Sequence, residues 1–173
     1  MRRIYFITST VNHWIHLFHR NEMARVILES LSFRVEQGHI KINAYVIMPN
    51  HAHMIVTINE GNELCDFLRD FHKFTAKQII SALEKENNPL LARFKAEKRD
   101  RYFHVWKQTH SPKRIISWEF FRQKLEYIHN NPLAARWSLC DRPENFAYSS
   151  ARDYLFGQSG LLPVEVITPF TPW

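Results

Sequence analysis

The chain has 173 residues, 45% of them hydrophobic and 14% aromatic, which supplies a core for one domain and excludes disorder as its main state. No apolar run approaches the roughly 20 residues that cross a bilayer. The short apolar stretch after Arg2-Arg3 lacks a small-residue cleavage site, and Cys65 and Cys140 have no CxxC partner. A reduced, cytoplasmic setting without membrane association is therefore expected. The net charge of +6 is concentrated: residues 69–114 hold twelve Lys or Arg against five Asp or Glu. Such a local excess suits a polyanion-binding surface, and it also suits a solvated face.

Residues 3–11 (RIYFITSTV) are rich in β-branched and aromatic types and predict a strand. A polar loop with His13, His16 and His19 follows, then a helix over 22–37 capped by Asn21 and stopped by Gly38. Residues 39–48 and 51–58 predict two strands, antiparallel because only Pro49-Asn50 joins them. A long helix is expected over 63–86, burying Leu64, Phe67, Leu68, Phe71, Ile79 and the flanking Phe74. Arg69, Lys73 and Lys77, four apart, give that helix a basic stripe. Residues 90–101 are basic and carry no periodic signal. A fourth strand is expected over 102–108 (YFHVWKQ), and a last helix runs from Ser117 to about Asn130, ended by Pro132.

This order, β-α-β-β-α-β-α, begins with the ferredoxin-like split βαβ arrangement. The expected fold class is α+β: one ferredoxin-like domain over 1–156, with an antiparallel β-sheet and its helices packed on one face. Residues 157–173, with Pro163, Pro169 and Pro172, predict an irregular C-terminal tail.

Two segments carry chemistry. His51-Ala52-His53 lies on the third strand, where residues i and i+2 point to one face, so the two imidazoles can converge on one ion. Taken alone, the triplet fits a metal pair or two histidines that only form hydrogen bonds. In Tyr127-Ile128-His129-Asn130-Asn131-Pro132, Tyr127 and Asn131 are four apart on the last helical turn and can face one way. A tyrosine hydroxyl can act as a covalent nucleophile, and an asparagine oxygen is a hard donor suited to Mg²⁺ or Mn²⁺. An interfacial tyrosine followed by a helix-end asparagine is the structural alternative.

Together these segments are recognisable. Ala44-Tyr45-Val46-Ile47-Met48-Pro49-Asn50-His51-Ala52-His53-Met54-Ile55-Val56 resembles the His-hydrophobic-His segment of the IS200-like (Y1, HUH-type) transposases, and the Tyr127–Pro132 segment resembles their tyrosine helix. The YIHNNP form, with Arg142–Tyr154 further on, is most similar to the REP-associated tyrosine transposases. Phe74-Thr75-Ala76 and Val105-Trp106-Lys107-Gln108 add to a likeness spanning roughly residues 3–155. The resemblance implies that His51, His53 and Asn131 are metal ligands for Mg²⁺ or Mn²⁺ and that Tyr127 is the nucleophile. It implies a transposase that nicks and joins single-stranded or hairpin DNA, such as a repetitive extragenic palindrome, through a 5′-phosphotyrosine, and it favours a monomer over a dimer. Two departures stand out: Ala52 between the histidines, and Ala134-Ala135-Arg136-Trp137 where a basic residue and a glycine are usual.

For the substrate, Arg69, Lys73, Lys77, Lys95, Lys98, Arg99 and Arg101 are the candidate phosphate contacts. Phe94, Tyr102, Phe103 and Trp106 are candidates for base stacking or for the core. Three alternatives compete. A metallo-hydrolase of the HxHxD type is disfavoured by Ile55 at the third position. A catalytically inactive nucleic-acid-binding derivative is disfavoured by the intact His51, His53, Tyr127 and Asn131. A replication initiator or relaxase shares the chemistry but differs in motif order.

Overall fold

The computed structural model describes residues 2–96, 103–107 and 111–171. The elements are β1 (Ile4–Thr10), α1 (Asn21–Glu36), β2 (Ile40–Met48), β3 (His51–Ile58), α2 (Leu64–Lys85), β4 (Lys113–Ile115), α3 (Trp118–Asn130) and a short α4 (Ala151–Phe156). The four strands form one antiparallel sheet in the order β2-β3-β1-β4. That is the ferredoxin-like order, in which β3 returns between the two parallel halves of a split βαβ unit.

The alternation along the strands builds two cores. On one face Ile7, Ile42, Tyr45, Ile47, Met54 and Val56 meet Met23, Ile27 and Leu31 of α1 and Phe67, Phe71, Ile79 and Leu83 of α2. On the other face Ile4, Phe6, Ala44, Val46, Met48 and Ile55 meet Phe121 and Ile128 of α3. The expectation of helices on one face therefore holds for α1 and α2, whereas α3 covers the opposite face. The cause is periodicity of 2 in strands that are apolar on both sides, which demands a cover for each side. In β2 the parity changes once, at a bulge between Ile42 and Ala44. The extra residue, Asn43, is buried and tied down, its Oδ1 accepting from Thr57 Oγ1 at 2.7 Å and its Nδ2 donating to the Glu165 carbonyl at 3.1 Å.

The fourth strand is a correction. It lies at Lys113–Ile115, paired with Phe6, Tyr5 and Ile4 of β1, and not at 102–108. Within the described part of that segment Phe103 and Trp106 make single bridges to Lys95 and Val11, and Val105 and Trp106 fill the α2-side core. Trp106 Nε1 donates to Thr75 Oγ1 of α2 at 3.0 Å. The aromatic content that suggested a strand serves a packed loop instead.

At the helix ends Ser117 caps α3, accepting from Phe120 N at 3.3 Å, as expected. Asn21 does not cap α1; the cap position is Arg20, and Asn21 Oδ1 accepts from Tyr148 Oη at 2.9 Å. Phe74 is exposed rather than buried. The C-terminal segment after α4 is irregular, as its prolines suggest, yet it is docked: Leu162 and Ile167 are buried, and Glu165 N donates to the Ile42 carbonyl at 2.8 Å. Glu165 also pairs with Arg2 and Lys41.

Candidate metal and tyrosine site

His51 and His53 lie on β3 opposite Thr10 and Thr8 of β1 and point to the α3 side of the sheet, in line with Ile55. Their rings sit 4.6 Å apart, centroid to centroid, and 72° to each other, and each residue is only 4% exposed. Each has its Nδ1 engaged by an oxygen. His51 Nδ1 is 2.7 Å from Asn50 Oδ1, an obligate acceptor, so Nδ1 carries the proton and Nε2 keeps its lone pair. His53 Nδ1 is 2.8 Å from Thr8 Oγ1. This is the arrangement by which an outer oxygen orients a metal-binding imidazole.

Burial, with the cations Arg136 and Lys124 nearby, keeps both rings neutral. Burial and then Arg136 push His51 down to about 4. Burial, then His51, Arg136 and Lys124, push His53 down to about 3. At neutral pH both therefore present lone pairs.

Asn131 caps the end of α3, four residues after Tyr127, and is 5% exposed. It is near enough to His51 to raise that ring's pKa slightly against the dominant effect of burial. Two polar atoms here are buried without a hydrogen-bond partner: His53 Nε2 and Asn131 Oδ1. Leaving such atoms unsatisfied costs roughly 1–3 kcal/mol each. Both are metal-donor atoms, and a divalent cation is what they fit. Among the described residues no group of three His, Cys, Asp or Glu could hold a metal, and Asn131, which interacts with His51, is a donor of another type beside the pair.

Tyr127 stands beside this cluster on the last full turn of α3. Its ring centroid is 5.0 Å from that of His53 and 6.1 Å from that of Phe6, and the residue is 45% exposed. A phenol fixed against a buried imidazole yet open to solvent can meet an incoming chain. Lys124, one turn earlier, holds its Nζ over the rings of Phe6, Phe120 and Tyr127 at 5.2, 5.3 and 5.9 Å. Burial, then Lys113, lowers its pKa.

The end of α3 is anchored by His129, the histidine of the YIHNNP segment. It is buried, and its Nε2 shares a 3.0 Å hydrogen bond with Ser150 Oγ. Ser150 Oγ in turn accepts from Tyr45 N at 2.9 Å. Burial pushes His129 down to about 4. This residue pins α3 to β2 and so sets where Tyr127 and Asn131 stand; its place inside the motif was the only signal in the sequence.

The structure thus brings together His51, His53, Tyr127 and Asn131. It does not bring the basic stripe to them. Arg69, Lys73 and Lys77 are exposed on α2, across the sheet from the histidines, and Arg69 is ion-paired with Asp66 and Asp70. Lys95 is exposed, while Lys98, Arg99, Arg101 and Tyr102 lie outside the described residues. Phe94 and Trp106 are core residues. The cations beside the histidines are Arg136 and Lys124, neither of them among the expected phosphate contacts.

No family model and no curated protein matches the sequence. Solved structures do. A REP-associated tyrosine transposase bound to a REP hairpin aligns over 98% of this chain and 89% of its own, with a TM-score of 0.61 and 21% identity. A candidate transposase from Deinococcus radiodurans R1 aligns over 75% of this chain and 91% of its own, with a TM-score of 0.51 and 17% identity. The chain has the fold of a tyrosine transposase. The likeness first carried by two sequence motifs thus extends to the architecture of nearly the whole chain, α3 included. Among the described residues of this transposase fold, no helix is long and apolar enough to cross a membrane.

Proposed function

We propose that the protein is a tyrosine transposase: a metal-dependent enzyme that nicks and rejoins single-stranded DNA at hairpin or REP-like sites. The observation that carries this reading is the meeting of Tyr127 with two orphaned donor atoms, His53 Nε2 and Asn131 Oδ1, on the α3 face of the sheet. His51, His53 and Asn131 would hold the ion. Imidazole suits transition ions and an amide oxygen suits harder ones, so the set suits Mn²⁺ or Mg²⁺. When bound, the ion supplies Lewis-acid stabilisation of charge on the phosphate oxygens.

The chain's own residues do the rest. The Tyr127 hydroxyl attacks phosphorus; an O–P bond to the phenolic oxygen forms and the bond to the 3′ oxygen breaks. The phenol proton is balanced by the proton taken up at the departing 3′-hydroxyl. A 3′-hydroxyl of another end reverses the step, which conserves the phosphodiester energy and requires no ATP. Lys124 and Arg136 offset the phosphate charge beside the histidines. Asn50 keeps His51 in the tautomer and orientation an ion needs, and Thr8 holds the His53 ring in its orientation. The monomer is the favoured working form, and the cytoplasm its compartment.

The test is incubation with Mg²⁺ and hairpin-bearing single-stranded DNA from around its own gene, followed by a denaturing gel. A covalent protein–DNA species that needs Tyr127 is the expected result. The absence of any adduct or cut strand across such substrates, with protein that binds Mn²⁺, overturns the enzymatic reading and leaves a DNA-binding protein.

A further inference from the structure

Two tryptophans flank the His51 side of the site, and neither belongs to the chemistry above. Trp14 is 57% exposed, an unusual state for the largest apolar side chain. Its backbone has φ +56°, and His13 before it has φ +55°. Two successive non-glycine residues in the left-handed region are strained, and such strain is retained where the surroundings impose it. Here the surroundings are Asn50: its Nδ2 donates to the Trp14 carbonyl at 3.2 Å, while its Oδ1 accepts from His51. The same side chain that orients a metal-ligand histidine therefore holds the strained turn that turns Trp14 outward. The Lys107 Nζ lies over the Trp14 ring at 4.1 Å.

Trp137 stands against His51 itself, partly buried and packed on the α3-side core. Its ring centroid is 5.8 Å from His51 and 5.4 Å from the exposed His16. Its Nε1 is buried and has no hydrogen-bond partner, so no hydrogen bond of the indole fixes the ring in place. The exposed Arg136 guanidinium lies 5.6 Å from its centroid. No ion pair to a carboxylate is found for Arg136 or Lys107 among the described residues. Each tryptophan thus comes with a cation that has no carboxylate partner among the described residues.

A flat aromatic ring next to a cation is the combination that holds a single-stranded nucleic acid, the ring stacking on an unpaired base and the cation meeting the adjoining phosphate. A duplex offers no free base face to such a ring, and a peptide gives the cation no regular partner. We propose that Trp14 with Lys107 and Trp137 with Arg136 form a stacking platform for the unpaired bases that adjoin the scissile phosphate. This rests on the strand-transfer reading for the word scissile, but not for the binding of unpaired bases itself. It also moves the substrate contacts from the α2 stripe to the face of the sheet where Tyr127 stands.

The experiment measures binding alone, by fluorescence anisotropy in EDTA. The probes are a short fluorescein-labelled oligo-dT and a strand of the same length made of abasic residues, which keeps the phosphates and removes the bases. The wild-type protein is expected to favour oligo-dT by roughly ten-fold or more. W14A and W137A each shrink that preference and the double variant abolishes it, while W14F and W137F, which keep a ring, retain most of it. K107Q and R136Q each lower the salt slope on both strands by about 0.7. A double alanine variant with native circular dichroism that keeps the wild-type preference overturns the inference. So does a wild-type protein with no preference. If alanine at Trp137 disturbs the fold, the phenylalanine and Arg136→Gln variants still decide. A protein that forms no covalent adduct yet shows this preference loses the catalytic reading and keeps the platform.

Discussion

The Thr8 hydroxyl lies 2.8 Å from His53 Nδ1, across the β1–β3 pairing that sets Thr8 opposite His53. The register of the sheet thereby sets an oxygen against the His53 ring and fixes the ring's orientation. Thr8→Val keeps the volume and removes the oxygen. It should cost about 1–3 kcal/mol of stability, because the buried imidazole nitrogen loses its partner. It should also weaken Mn²⁺ binding by about 10- to 100-fold, the usual effect of removing such a support. Thr8→Ser should restore most of both. Mn²⁺ titration followed by thermal unfolding reads the two effects separately, and unchanged Mn²⁺ affinity in Thr8→Val would show that the hydroxyl does not position the ring for an ion.

Cation binding should itself stabilise the fold. A ligand that binds the folded state alone adds about 2.7 kcal/mol at one hundred times its dissociation constant. Mn²⁺ is expected to raise the Tm of the wild type and leave that of His51→Ala/His53→Ala where it is. Asn131→Ala should retain part of the rise, since both imidazoles remain. An equal rise in the double variant would place the ion elsewhere.

The three buried histidines make stability depend on pH in a definite direction. The unfolded chain takes up protons on these rings near 6.5. The folded chain keeps His51, His53 and His129 neutral down to about 4, 3 and 4. Below 6.5 the unfolded state therefore binds more protons, so stability falls as the pH drops through the window from 6.5 towards 4. Each unit of depression corresponds to about 1.4 kcal/mol. Urea midpoints should be flat above neutrality and fall between roughly pH 7 and 5, with a shallower fall in His51→Ala/His53→Ala. A midpoint that rises on acidification contradicts the burial of these rings.

His129 tests how α3 is held. His129→Ala removes the contact with Ser150, which also receives Tyr45 N. The expected loss is on the order of 2–4 kcal/mol, from a cavity plus the lost hydrogen bond, while Ser150 Oγ keeps its contacts with the Tyr45 backbone. Strand cleavage should fall as well, although His129 meets no substrate, because Tyr127 and Asn131 ride on the same helix end. Urea unfolding with a cleavage assay at a temperature where the variant is folded separates the two.

The helices and the three long strands were legible because their patterns are strong: periodic apolar positions in α1 and α2, and β-branched runs in β1 to β3. The pairing of His51 with His53 was legible for the same reason, since two residues apart on a strand is a statement about direction. The fourth strand was not. Lys113-Arg114-Ile115 has three residues, two of them exposed and charged, on a sheet edge where charge is ordinary. The YFHVWKQ segment carried the stronger local signal, and tertiary packing of Val105 and Trp106 overrode it. The side of the sheet taken by α3 was likewise hidden, because the Asn43 bulge reverses the parity of β2 without a mark in the composition. That the basic stripe of α2 stands across the sheet from the histidines was hidden too, because charge counted along the sequence does not say which face carries it. Arg136 and Trp137 registered only as a departure from a family pattern, and their position beside His51 emerges only from the fold.

Tyr127→Phe isolates the nucleophile. The side chain is 45% exposed and its ring rests against His53 and Phe6, contacts that phenylalanine keeps. Stability should change by less than about 0.5 kcal/mol, as for other exposed substitutions without a special contact. Mn²⁺ should still raise the Tm, since His51, His53 and Asn131 are untouched. Single-stranded DNA should still bind with the same salt dependence. The attacking oxygen is gone, however, so the covalent protein–DNA species and strand cleavage should both disappear. His51→Ala/His53→Ala should also abolish cleavage, but by removing the ion while the phenol remains. The two variants therefore separate in metal binding and agree in activity. Retained cleavage at the wild-type rate in Tyr127→Phe would move the attack to another hydroxyl or to water, and with it the transesterification proposed for this site would fail.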